Sequence, residues 1–167
     1  ATGKLSIINI EDEITTLIPE STKEALKEII PATPHTTAAT NFAKRSKQAG
    51  TNWKNTKNAA FSTIANVFGV PSIDVVPADP RTFNGDVNSA ASKLMESGAH
   101  ICEAAKKMNV TCDTYIKNMA QDLSDGAADG KDGNEDILMT GYPKGDEWKT
   151  KMEQAMEDYR SKVADFK

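Results

Sequence analysis

Between Thr37 and Phe68 the chain contains no proline, and Phe42, Ser46, Ala49, Trp53, Lys57, Ala60, Ile64 and Val67 recur at three- and four-residue steps. All but Ser46 and Lys57 are apolar, so the pattern predicts a long helix with one core-facing stripe. Gly50 interrupts the stripe at a cost of about 1 kcal/mol relative to alanine, which marks a break or a close helix crossing there. Gly69 supplies a C-terminal cap ahead of Pro71. The same period returns in Val87, Ala91, Leu94, Gly98, Ile101, Ala105 and Met108, predicting a second long helix capped by Asp86. A shorter helix is expected from Thr111 or Asp113 to Leu123, with Cys112, Ile116, Met119 and Leu123 on one face. A final one is expected from Asp146 to Phe166 over Trp148, Met152, Ala155, Tyr159, Val163 and Phe166.

Elsewhere the pattern is weaker. Lys4 to Ile10 is too short to separate a strand from an irregular arm, and residues 1–20 are read as an irregular N-terminal arm. Ser21-Thr22-Lys23-Glu24 has the form of a capping box, opening a short helix to Ile30 that Pro31 and Pro34 close. Residues 69–86 carry Pro71, Pro77, Pro80 and Asn84-Gly85, and read as a long crossover loop pinned by Ile73, Val75 and Val76. Residues 124–145 are rich in glycine and acid, with one apolar island at Ile137-Leu138-Met139.

Four stripes, each too narrow to be buried alone, require one another. The fold expected is all-α: an antiparallel four- to five-helix bundle with a proline-containing crossover and one disulfide. A single domain over residues 1–167 accommodates it, since a chain of this length buries roughly two thirds of its unfolded surface. Alanines and Gly98 at interior positions would let helix axes approach closely, which fits an aromatic share of only 6%.

Composition narrows the function classes. No run of 18 apolar residues exists, so no helical membrane span is expected, and no repeat of solenoid length is visible. The formal charge of −4 argues against a whole-surface nucleic-acid binder. That small total conceals a segment, Thr36–Gly69, at +5 and another, Asp122–Asp136, at −5.

Candidate chemistry is sparse. Cys102 and Cys112 are separated by a predicted helix turn, and a disulfide there outweighs a metal or redox site with His100. His100 and Cys102 point to different sides of a helix, and a fourth zinc ligand at suitable spacing is lacking. Closing so short a loop contributes about 2–3 kcal/mol on the chain-entropy argument. The two cysteines suggest an exported chain, and a start at Ala1-Thr2-Gly3, without Met, fits removal of a targeting segment, although loss of an initiator Met before Ala looks the same. Asn109-Val110-Thr111 matches the glycan-acceptor pattern in that turn, although eleven asparagines in a Ser/Thr-rich chain would produce about one or two such matches by chance.

Asp125, Asp129, Asp132 and Asp136 form a candidate cation-binding loop, with calcium as the natural occupant. Ala127 stands where an EF-hand needs a ligand, and Asp132 where it needs an apolar residue, so a solvated acidic loop is the preferred reading. Lys44, Arg45, Lys47, Lys54 and Lys57 form a candidate anion- or partner-binding basic helix, weighed against a solvated face or one paired with the acidic segment. The six methionines could line a ligand pocket, but a stripe at helical spacing is ordinarily core. No phosphate loop, GxSxG, HExxH or CxxCH occurs. The expectation is an exported, non-catalytic binding protein acting on a protein partner through its surface. A carrier of a lipid-like molecule in the bundle core is the alternative, and a structural subunit of an extracellular assembly the third.

Overall fold

The computed structural model describes residues 31–47, 52–82 and 85–164. The expected N-terminal arm and the short helix from Thr22 to Ile30 lie outside those residues. Among the described residues there are five α-helices: α1 (Pro34–Ser46), α2 (Trp53–Phe68), α3 (Ala90–Lys107), α4 (Cys112–Asp122) and α5 (Glu147–Ala164). A 3-10 turn, Leu123–Asp125, follows α4 directly. None of the described helices is long and apolar enough to cross a membrane.

The long helix expected from Thr37 to Phe68 is two. Thr33 opens α1: its hydroxyl accepts from the Thr36 amide at 3.1 Å, and its own amide donates to the Thr36 hydroxyl at 2.9 Å. Pro34 begins α1, where its missing amide is harmless in the first turn. Asn52 starts α2, its side chain accepting from the Lys54 amide at 2.8 Å. Gly69, at φ +62°, ends α2, with the Val70 amide reaching back to the Ala65 carbonyl at 3.0 Å.

The N-cap of α3 is also displaced from expectation. The Asp86 carboxylate is already engaged by the Asn88 amide at 2.8 Å, and Ser89 caps the helix instead. Val87 consequently lies ahead of α3 and is 61% exposed. The buried stripe of α3 is Ser92, Leu94, Ser97, His100, Ile101, Ala104 and Ala105. Gly98 does not mediate a close crossing, since a β-carbon placed there would meet nothing within 4 Å. Of the two starts the sequence offered, Thr111 rather than Asp113 caps α4, and Tyr115, Met119 and Ala120 turn inward from it.

Helix α1 packs on α2 and α4, and α3 packs on α4 and α5. The core between them holds Ile64, Leu94, Ile101, Tyr115, Met119, Leu123, Trp148 and Met152, with alanines at 38, 39, 43, 60, 104, 105, 120 and 155. Each large aliphatic side chain withdrawn from water contributes about 2 kcal/mol. The alanines add little burial individually but allow neighbouring helices to approach. Ile73 pins the loop after α2 to this core as expected, whereas Val76 is 67% exposed and pins nothing.

The segment from Leu123 to Asp146 departs from an all-helical description. Lys131–Asp132 and Glu135–Asp136 pair as a two-residue antiparallel hairpin, with Lys131 opposite Asp136 and Asp132 opposite Glu135. Charged residues at every position hid this hairpin from a periodicity argument.

Candidate functional site: a loop anchored on a buried carboxylate

The loop joining α4 to α5 is built around Asp122, whose side chain is fully buried at the end of α4. Its Oδ1 accepts hydrogen bonds from three successive amides: Asp129 at 3.2 Å, Gly130 at 2.9 Å and Lys131 at 3.2 Å. Its Oδ2 accepts from the Tyr142 hydroxyl at 2.9 Å, and the Trp148 indole donates to that same hydroxyl at 3.2 Å. One carboxylate thus ties the first half of the loop, its last third and the start of α5 together. Burial is the largest influence on Asp122 and pushes its carboxyl above the usual range, while the four donors oppose that push.

Gly130 makes the arrangement sterically feasible. Its φ is +80°, and a β-carbon there would lie 2.3 Å from the Pro143 carbonyl oxygen. The Gly130 carbonyl in turn accepts from the Ile137 amide at 2.9 Å. Ile137 is therefore drawn inward and is 4% exposed, while its neighbour Leu138 is 93% exposed. Single exposed apolar side chains are ordinary on protein surfaces, but this one sits on a segment fixed at both flanks.

The four carboxylates of the candidate cation-binding loop take separate duties. Asp125 accepts from the Ala127 amide at 3.0 Å with one oxygen and from the Gly133 amide at 3.1 Å with the other. Asp129 accepts from the Lys131 amide at 3.1 Å. Asp132 pairs with Arg45 and accepts from Gln121 at 2.9 Å, and these partners hold it below the usual carboxylate range. Asp136 pairs with Lys144 at 2.6 Å and is held low by it. Among the described residues no group of three or more metal-ligating side chains comes together.

The basic residues are divided by the break between α1 and α2. Arg45 crosses to the acidic loop, bonding the Ser124 hydroxyl at 2.8 Å as well as Asp132. The Lys47 ammonium lies 5.3 Å from the Trp53 ring centre. Lys57 lies 5.1 Å from the Phe61 ring centre and 3.8 Å from Asp74. Lys44 and Lys54 are exposed. The chain's two opposite charge segments therefore meet at Arg45 and Asp132, and the residues that the sequence presents as one basic helix are divided between two.

Cys102 and Cys112 are bonded to each other across the turn between α3 and α4, with Cα atoms 4.8 Å apart. The turn itself follows from backbone capping. Asn109, at φ +56°, leaves the right-handed helix; its amide bonds the Lys106 carbonyl at 3.0 Å, and the Val110 amide bonds the Ala105 carbonyl at 3.1 Å. This is a Schellman ending with asparagine in the place usually held by glycine. Asn109 is exposed at its apex.

Both histidines are inside the fold. His35 on α1 lies 2.7 Å from the Ser97 hydroxyl on α3 and edge-on to Phe68 at 4.6 Å between ring centres. His100 on α3 packs edge-on to Tyr159 of α5 at 5.0 Å. Glu96 stands 3.8 Å from the His100 ring and is itself bonded by Arg160 at 2.8 Å. His35 Nδ1 and both ring nitrogens of His100 are buried without a hydrogen-bond partner among the described residues. Burial lowers each imidazole to about 4, which keeps it neutral at neutral pH.

Sequence reasoning missed two parts of this arrangement. Asp122 was one acid among six in a polar run, and only its location at the buried end of α4 sets it apart. Tyr142 carried no periodic signal, although its aromatic ring next to Pro143 in a polar loop was a hint that the loop folds onto the core. The chain matches no protein-family description, no curated protein and no solved structure.

Proposed function

We propose that this protein is an exported, non-catalytic helical interaction protein that presents the loop 124–145 to a protein partner. The observation that carries this reading is Leu138: an apolar side chain 93% exposed on a loop locked by the Asp122 carboxylate and by the Arg45–Asp132 and Lys144–Asp136 pairs. A side chain held out by a rigid loop binds with little ordering cost, because the loop entropy is already lost on folding. The exposed carboxylate of Glu135, three residues before Leu138 in the chain, favours a partner with a basic rim around an apolar socket. The disulfide supports an oxidising compartment. The withdrawal of both histidines from solvent, and the bonding of both cysteines, favour binding over catalysis. We read the helix pairing as an antiparallel bundle, supported by the four-residue connection 108–111 and the bond that closes it.

A photo-reactive phenylalanine analogue in place of Leu138 tests the reading in the fluid from which the protein is recovered. The expected result is one discrete adduct, competed by excess unlabelled wild-type chain and not by Leu138→Asp. The same probe at Asn58, exposed on α2, gives no such adduct. Identical labelling from both positions, or labelling that excess wild type does not reduce, refutes it.

A further inference from the structure

The turn between α3 and α4 presents an asparagine whose side chain has no structural duty there. Asn109 is exposed at the apex of that turn, with its backbone in the left-handed conformation at φ +56°. The structural duties of the Asn109-Val110-Thr111 triplet are accounted for without the asparagine amide. Asn109 serves the helix ending through its backbone, where glycine would serve better, because a side chain at positive φ is strained. Thr111 serves as N-cap of α4, its hydroxyl oxygen accepting from the Thr114 amide at 3.2 Å. The Asn109 side-chain amide has no bonded partner among the described residues, and it rims an open groove that Cys102, Lys106, Val110, Thr111 and Cys112 also line.

We propose that Asn109 is an N-glycan acceptor, a proposal that rests on the export reading above. The triplet has the required form, with a hydroxyl residue two positions on and valine rather than proline between. The transfer forms a bond between Asn109 Nδ2 and the anomeric carbon of the first sugar. The bond from that carbon to the pyrophosphate of a lipid-linked oligosaccharide breaks, its electron pair leaves with the pyrophosphate, and Nδ2 releases one proton. A glycan at this apex stands in solvent and displaces no packed side chain, so the folded helices tolerate it. Cys112 lies three residues beyond the acceptor, so closure of the Cys102–Cys112 bond competes with transfer while the chain is being made.

The test is the mass of the full chain made behind a cleavable signal sequence in a eukaryotic secretory cell. Wild type is expected to run heavier by one oligosaccharide, which a glycan-releasing amidase removes, leaving aspartate at position 109. Thr111→Ser keeps the addition. Asn109→Gln and Thr111→Asp lose it, and the latter retains an N-cap residue, so its loss is not a folding effect. Cys112→Ser raises occupancy. An unmodified wild-type mass, in the medium or in the membrane-enclosed pool, overturns the proposal. The export reading is judged separately, by whether the Cys102–Cys112 bond resists alkylation in chain taken from its own source. An intact bond with an unmodified asparagine sinks the glycan and leaves export standing.

Discussion

Acidification should destabilise this protein before its carboxylates are touched, because two neutral imidazoles are locked inside it. His35 is 0% and His100 1% exposed, and burial lowers each from the ordinary 6.5 to about 4. The groups facing them do little to offset this. His35 meets the Ser97 hydroxyl, and His100 meets Tyr159, with Glu96 favouring its charged form and Arg160 opposing it. Below pH 6.5 the unfolded chain takes up protons that the native state refuses. Stability is therefore full above that point and is lost as pH falls toward 4. At pH 5 the loss is about 2 kcal/mol for each histidine, or about 4 kcal/mol for the two together. With a urea slope of about 2 kcal/mol per molar, the unfolding midpoint should drop by about 2 M between pH 7 and pH 5. Urea titrations followed by Trp148 and Trp53 fluorescence at the two pH values measure it. The double variant His35→Gln/His100→Gln should show a midpoint independent of pH over this interval, whatever its absolute stability. A wild-type midpoint unchanged between the two pH values, or a drop that persists in the double variant, refutes the reasoning.

Three further outcomes follow from the same contacts. Asp122→Ala strands three loop amides and the Tyr142 hydroxyl, and should cost about 3–5 kcal/mol, with amide exchange at residues 129–131 rising well above that of α3. Gly130→Ala forces a β-carbon to within 2.3 Å of the Pro143 carbonyl at φ +80° and should cost at least about 2 kcal/mol by denaturant titration; Gly145→Ala, where a β-carbon meets nothing, should cost less. Replacing both Cys102 and Cys112 with serine should lower stability by about 2–3 kcal/mol and the melting temperature by about 5–10 °C, with helical circular dichroism retained at room temperature.

The sequence determined by itself the properties that depend on neighbours within a few turns. Helical spacing fixed the existence of four of the helical stretches, because a 3.6-residue period is a local property. Thr111 as a cap, Gly69 as a stop and the pairing of two cysteines across one short turn are also decided within about ten residues. What lay beyond that range was decided by tertiary contacts. Asp86 and Ser89 are both good caps, and only the fold of the preceding loop, which occupies the Asp86 carboxylate, selects Ser89. The basic helix became two helices, and Arg45 found Asp132, 87 residues away. Asp122 illustrates the division most fully. Composition presents it as a solvated charge, equivalent to Asp125 or Asp129. Packing of α4 against α1 and α3 encloses it, and a carboxylate deprived of water must collect donors, which are the amides of the loop. That requirement, not any local propensity, folds residues 124–145 and leaves Leu138 facing solvent.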